Sequence, residues 1–182
     1  LAENQYGYVN MCRAVSAVHD NSKQSITDIL EKQLAGLFVL AHKESTLNKL
    51  INIIPYTHLF LELRPGIQEI YMQKLAKKLK LEMVVTGDVY FRSQSDHDAH
   101  VTLRAIEKNT TLKQLDIAEC KTNHHWFRSE AEMVKLFPNS LDGLNNSQYL
   151  ADRCKTDWSF INTVFPGLSL KETHISNKKL KD

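Results

Sequence analysis

Three short apolar runs, each followed by a helical pattern, constrain this chain more than anything else in it. Gly36-Leu37-Phe38-Val39-Leu40-Ala41, His58-Leu59-Phe60-Leu61-Glu62-Leu63 and Leu81 to Thr86 recur at a spacing of roughly 20–25 residues. A short apolar run bounded by turn residues reads as a strand buried on both faces, and a helix between two such strands makes a parallel sheet. In parallel α/β folds the active groups sit on loops leaving the strands' C-terminal ends. Asp88, in Val84-Val85-Thr86-Gly87-Asp88-Val89-Tyr90-Phe91, takes that position. Three strands cannot close a barrel, so the fold class expected is α/β, one part of a larger parallel assembly. The missing strands would lie upstream of Leu1 or in another copy. A start at Leu1, without methionine, adds to the expectation of a fragment.

Around these strands the helices follow from periodicity. Residues 6–18 place Tyr8, Met11, Cys12, Val15 and Val18 at helical spacing, and 26–33 reads as a short helix. Ser45 can cap a helix with Leu47, Leu50, Ile51 and Ile54 inward, closed by Pro55. Residues 67–80 put Ile67, Ile70, Tyr71, Leu75 and Leu79 on one side, leaving Lys74, Lys77, Lys78 and Lys80 as a solvated face. Ser95 or Asp96 can cap a helix through Ile106 with Val101, Leu103 and Ile106 apolar. Ser129 and Glu132 have the spacing of a capping box, and a last helix is expected over 147–154.

Charge and cysteines narrow the class. With 23 basic and 21 acidic residues there is no basic footprint of the kind nucleic-acid binding needs. Cys12, Cys120 and Cys154 are far apart, which fits reduced thiols in a cytoplasmic protein and not a disulfide frame or zinc knuckle. No apolar run is long enough to span a bilayer, so no membrane partner is expected. No Gly-rich phosphate loop, HExxH, GxSxG or CxxC occurs.

The sequence resembles one known family, and the pieces that carry the resemblance stand in that family's order. NQYGYVNMCRAVSAVH, GLFVLAH, HLFLEL, VVTGDVYF, HVTLRAI and WFRSEAEMVKLFPNSLDGLNNSQYLADRC are similar to the later half of the PHP (polymerase and histidinol phosphatase) domain of bacterial DNA polymerase III alpha subunits, nearest to their divergent, error-prone-like members. The likeness runs over about residues 5–160. It implies a seven-stranded (β/α) barrel, of which this chain would supply about three parallel strands, flanking helices and a helical C-terminal region. Residues 1–165 would be the C-terminal half of that domain and 166–182 a linker toward the polymerase core. Trp158, Phe160 and Phe165 would pack on the following domain and leave a sticky surface in its absence.

The family also implies divalent metals, commonly zinc or manganese, at the strands' C-terminal mouth. Its ligand positions in this half fall here on Lys43, with His42 beside it, and on Asp88 and Tyr90. Only Asp88 is a competent ligand. A phenol ionises near pH 10 and replaces imidazole poorly, and a lysine adds positive charge where a cation would bind. Lys43 is therefore expected to pair with Asp88 and balance the pocket, with no cofactor. The rival is a rebuilt site from His97 and His100 with Asp96 and Asp98, against the simpler role of those acids as helix caps. His42 is read as a neutral hydrogen-bonding group. Glu62, if it faces inward, needs a partner such as Lys43 or Arg64. Arg64-Pro65-Gly66 reads as a turn, and His124-His125-Trp126 as a packed tryptophan with solvent histidines.

Two functions stay in competition at this level. One is a non-catalytic, structural segment of a DNA-directed DNA polymerase, serving replication or lesion bypass. It would support the palm domain, complete a barrel with the N-terminal half, and offer a dock for a proofreading subunit, with DNA met only through the parent protein. The other is a metal-dependent phosphoesterase, a 3′–5′ exonuclease or pyrophosphatase, which would use metal-activated water.

Overall fold

The computed structural model describes residues 1–20 and 25–155. Helices α1 (Gln5–Asp20) and α2 (Ile26–Lys32) lead into β1 (Val39–Ala41), α3 (Glu44–Leu50), β2 (Leu59–Leu63), α4 (Glu69–Leu79) and β3 (Met83–Val85). Then follow α5 (His97–Glu107), α6 (Glu130–Leu136) and α7 (Leu141–Arg153), with short 3₁₀ turns at Gln94–Asp96 and Ile117–Glu119. The three strands pair in parallel in the order β1-β2-β3, Val39 opposite Leu59 and Leu61 opposite Met83. The alternation in the sequence thus becomes two strand–helix–strand crossovers, as parallel pairing requires. The tail carrying Trp158, Phe160 and Phe165, and the linker 166–182, lie outside the described residues.

β2 is nearly continuous in hydrophobicity because both of its faces are covered. Leu59, Leu61 and Leu63 pack with Leu47 and Leu50 of α3 and with Met72 and Leu75 of α4. On the other face Phe60 joins Phe38, Val84 and Leu150 of α7. Glu62 and Thr86 share that second face by the period of two, near the strands' C-terminal ends. This alternation delivers polar side chains to the mouth described below.

The outer edge of β3 is sealed by side chains. Asn146 Nδ2 donates to the Met83 carbonyl at 2.8 Å, and Ser147 Oγ donates to the Val85 carbonyl. Gly143 lets α7 come this close, since a Cβ there would lie 3.0 Å from the Val85 side chain. The helix therefore starts at Leu141, not at 147 as periodicity suggested. Asn145-Asn146 looked like a break because asparagine competes for nearby backbone groups. Here the Asn146 amide is spent on the sheet edge, so the helix runs through it.

Other helices bury different faces from those expected. In α1 the buried residues are Gly7, Asn10 and Ala14, whereas Val15 and Val18 are exposed. A backbone contact sets this face: a Cβ on Gly7 would lie 1.8 Å from the Gly36 carbonyl oxygen. Asn10 reinforces it by donating to the Ala35 carbonyl at 2.8 Å. In α4 Met72 and Leu75 are buried while Ile70 and Tyr71 are exposed, and in α5 Leu103 and Ile106 are exposed and Ala105 is buried. The cap of the α5 segment is a box of Ser93 and Asp96. The capping box of Ser129 and Glu132 at α6 is as expected. α3 stops at Leu50, four residues short of Ile54, and begins after Lys43 and not after Ser45.

Candidate functional site: a charge-balanced mouth at the strand ends

β1, β2 and β3 deliver His42, Glu62, Arg64, Thr86 and Asp88 to one end of the sheet. Asp88 adopts φ 42°, a left-handed conformation that aspartate tolerates better than most residues because its short side chain bonds locally. Its Oδ2 receives Arg64 Nη1 at 3.1 Å and Lys121 Nζ at 3.1 Å, and His125 Nδ1 lies 3.2 Å away. His125 Nδ1 also faces the Asp88 carbonyl oxygen at 3.0 Å, so that nitrogen carries the proton and donates. One carboxylate oxygen is thus held by two cations and an imidazole N–H.

A second carboxylate lies on the same face. Glu62 accepts from Thr86 Oγ1 at 2.7 Å, and His42 Nδ1 lies 3.7 Å from its other oxygen. His42 Nε2 is 3.1 Å from Arg64 Nη2. Guanidinium can only donate, so Nε2 is the acceptor and the ring proton resides on Nδ1, facing Glu62. Two cations, Arg64 and Lys121, match two carboxylates, Glu62 and Asp88, with the histidines neutral.

The loop after α5 brings in the remaining groups. His97 Nε2 meets the Lys121 carbonyl oxygen at 3.0 Å, and His100 Nε2 accepts the Lys121 N–H at 3.1 Å. Tyr90 N–H donates to the His125 carbonyl at 2.8 Å. The Tyr90 ring lies under Lys121 Nζ, 4.3 Å from its centroid, and meets the His100 and His125 rings edge-on.

Several expectations change on this geometry. Lys43 is exposed, its backbone carbonyl accepting at the start of α3, so it is not the cation paired with Asp88. Arg64 and Lys121 hold that place instead. Arg64 is more than a turn residue, and Lys121 carries no local signal of its role because it lies 33 positions from Asp88. His125 is 8% exposed and central, not a solvent histidine, while His124 is exposed and Trp126 half-buried beneath Arg128. His97 and His100 point to the Lys121 backbone instead of to a common centre. Asp96 is consumed by Ser93, and Asp98 is fully exposed. Glu62 has its partner, but in Thr86 and His42.

The donor set does not suit a divalent ion. Such an ion wants several anionic or imidazole donors converging at about 2.0–2.2 Å. Asp88 has its oxygen already engaged by cations, His42 spends its lone pair on Arg64, and His125 presents a proton to Asp88. Among the described residues no group of three or more His, Cys, Asp and Glu side chains is placed to hold a metal.

The histidines carry a pH signature. Burial lowers the pKa of His42, with Arg64 adding to the effect, and burial likewise lowers those of His100 and His125. For His125 the Asp88 contacts oppose the shift without reversing it. A folded pKa below the unfolded value of about 6.5 means that the unfolded chain binds more protons at mildly acidic pH. The stabilisation from these neutral rings is present above about pH 6.5 and is lost as pH falls through their lower folded values. Urea midpoints should therefore stay nearly level from pH 7.5 to about 6.5 and drop from there to pH 5. A His100→Gln variant, which keeps an acceptor for the Lys121 N–H, should show a shallower fall; an unchanged slope would remove His100 from the account.

An α/β module with three parallel strands and a charge-compensated mouth is the class that fold and site define. Sequence comparisons give that class its relatives. The chain is 30% identical over 181 residues to the DNA polymerase III subunit alpha of Pasteurella multocida, an alignment covering 85% of this chain and 16% of that protein. It is 38% identical over 94 residues to the subunit of the same name from Haemophilus influenzae, covering 50% of this chain and 8% of the relative. The Rickettsia bellii subunit is 31% identical over 112 residues, covering 60% of this chain and 10% of the relative. The chain spans less than a fifth of the length of these curated relatives, as the covered shares of 8%, 16% and 10% show. No family model matches it.

Proposed function

We propose that this chain is a non-catalytic, structural segment of a DNA polymerase III alpha subunit, the C-terminal half of its PHP domain. The observation that carries the reading is the engagement of Asp88 by Arg64 and Lys121, which puts protein cations where a metal-dependent enzyme would collect ligands. The similarity to three named alpha subunits supports the parent protein, and the parallel strand–helix units support the barrel part. In this reading residues 1–165 complete a (β/α) barrel with an N-terminal half, and 166–182 lead to a polymerase core in the cytoplasm. Nucleotidyl transfer and contact with DNA belong to that core, and docking of a proofreading subunit is a role open to the barrel exterior. Among the described residues no helix is long and apolar enough to cross a membrane.

A phosphoesterase would need metal-activated water and several free ligands, which the bonded state of Asp88, His42 and His125 does not offer. Elemental analysis of the purified chain should find less than one zinc or manganese per molecule, and a chromogenic phosphodiester should remain uncleaved. Two or more tightly held metals, or turnover that a chelator abolishes, would overturn the reading in favour of a phosphoesterase.

A further inference from the structure

We propose that Lys121 acts as a tethered cation: its ammonium fills a cage built from the Asp88 carboxylate and the Tyr90 ring, and the loop carrying it is shaped to keep it there. Every polar group of the residue is engaged. Nζ is 3.1 Å from Asp88 Oδ2 and 4.3 Å from the Tyr90 centroid. The backbone N–H goes to His100 at 3.1 Å and the carbonyl receives His97 at 3.0 Å. Four residues on, His125 ties the same loop to the Asp88 carbonyl at 3.0 Å and to Tyr90 N–H at 2.8 Å. Phe91 pairs with Trp126 as an isolated parallel bridge beside these contacts. The strand-end loop and the Lys121 loop are therefore stapled at both ends of the cage.

The chemistry of the cage is that of ammonium recognition. A carboxylate supplies the counter-charge, and an aromatic face supplies a quadrupole that attracts a cation within about 6 Å of its centroid. Freezing a lysine side chain costs rotamer entropy that an exposed ion pair seldom recovers. Fixing the Lys121 backbone with two imidazoles delivers the ammonium with less freedom left to lose. The arrangement also gives roles to groups that a solvent-exposed loop would not explain. Tyr90 is a wall of the cage, and His97 and His100 are positioning residues acting through the Lys121 main chain. With the lysine side chain removed, the same cage becomes a receptor for a small primary alkylammonium ion.

This inference rests on the reading of the mouth as lacking a metal only in that Lys121 occupies the cation's place. The test is amine acylation of the native chain with an activated acetate ester, read residue by residue by mass spectrometry. Lys121 should react at least ~10-fold more slowly than the exposed Lys43, because acylation requires Nζ to leave Asp88 and the Tyr90 ring and to lose its proton. Asp88→Asn should bring Lys121 close to the Lys43 rate. Equal rates in the native chain, or no acceleration in Asp88→Asn, would overturn the cage. As a second measurement, tens of millimolar ethylammonium chloride should raise the thermal midpoint of Lys121→Ala by about 2–4 °C more than that of the native chain, with sodium chloride as the ionic-strength control. An equal response of the two proteins would also overturn it. Zinc or manganese that accelerated acylation of Lys121 would show a metal competing for its place; that result supports the cage while ending the metal-free reading of the mouth.

Discussion

Replacing Asp88 with alanine should destabilise the fold by about 3 kcal/mol, toward the lower end of what removing one partner from a buried ion pair costs. Its side chain is 15% exposed, but Arg64 and Lys121 retain 24% and 29% exposure, so water screens part of their loss. Two cations and one imidazole N–H would lose their common acceptor in a single step. Asp88 also holds φ 42°, where alanine is strained by roughly 1 kcal/mol relative to glycine. Three variants separate charge from backbone. Asp88→Ala should be worst, Asp88→Gly intermediate, and Asp88→Asn mildest, since asparagine accepts the conformation and keeps one oxygen. Urea denaturation gives the ranking. A loss below 1 kcal/mol for Asp88→Ala would mean that the cations find other partners and that the mouth is held by its strands alone.

Gly7→Ala should do at least as much damage, about 3 kcal/mol or more, or prevent folding outright, because overpacking of this severity exceeds the usual 1–3 kcal/mol. The added methyl would sit 1.8 Å from the Gly36 carbonyl oxygen. That oxygen belongs to the main chain and accepts from Glu3 N–H at 2.9 Å, so it cannot rotate aside. Gly36 is itself at φ 74° with Gly7 atoms within 3 Å of its would-be Cβ, so neither glycine can yield for the other. Gly66→Ala is the natural control. Gly66 has φ 87° but nothing within 4 Å, so only the backbone cost of about 1 kcal/mol should appear. Equal effects at the two sites would show that the Gly7 contact relaxes and that α1 is loosely seated.

These residues also mark how far the sequence could be read. The three strands were legible because apolar runs and turn residues are local signals, and the parallel pairing bears them out. The Ser129–Glu132 capping box was legible for the same reason. The buried stripe of α1 was not, because a glycine contact chosen by the loop before β1 outweighed the apolar periodicity of Val15 and Val18. The helix over Asn145-Asn146 was misplaced because its asparagine serves a strand 63 residues away. At the mouth, Asp88 stood out from its place after β3, whereas its partners did not. His125 is 37 positions distant and Lys121 is 33, and convergence over such separations is a property of the fold. One signal was available: a carboxylate carried into a half-buried strand-end mouth needs positive charge from somewhere, and Arg64 closes the neighbouring strand.

The seal on β3 gives the sheet a direction. Ladder geometry turns the Leu40 main chain away from β2, whereas on the opposite margin Asn146 and Ser147 satisfy Met83 and Val85. On the β1 margin the Leu1 main chain already bonds the Phe38 N–H and carbonyl and Ala2 bridges Leu37, so an added strand could pair only beyond Phe38 unless this segment moved aside. Growth of the sheet in either direction therefore requires a piece of the chain, α7 on one side or the N-terminal segment on the other, to be peeled off first.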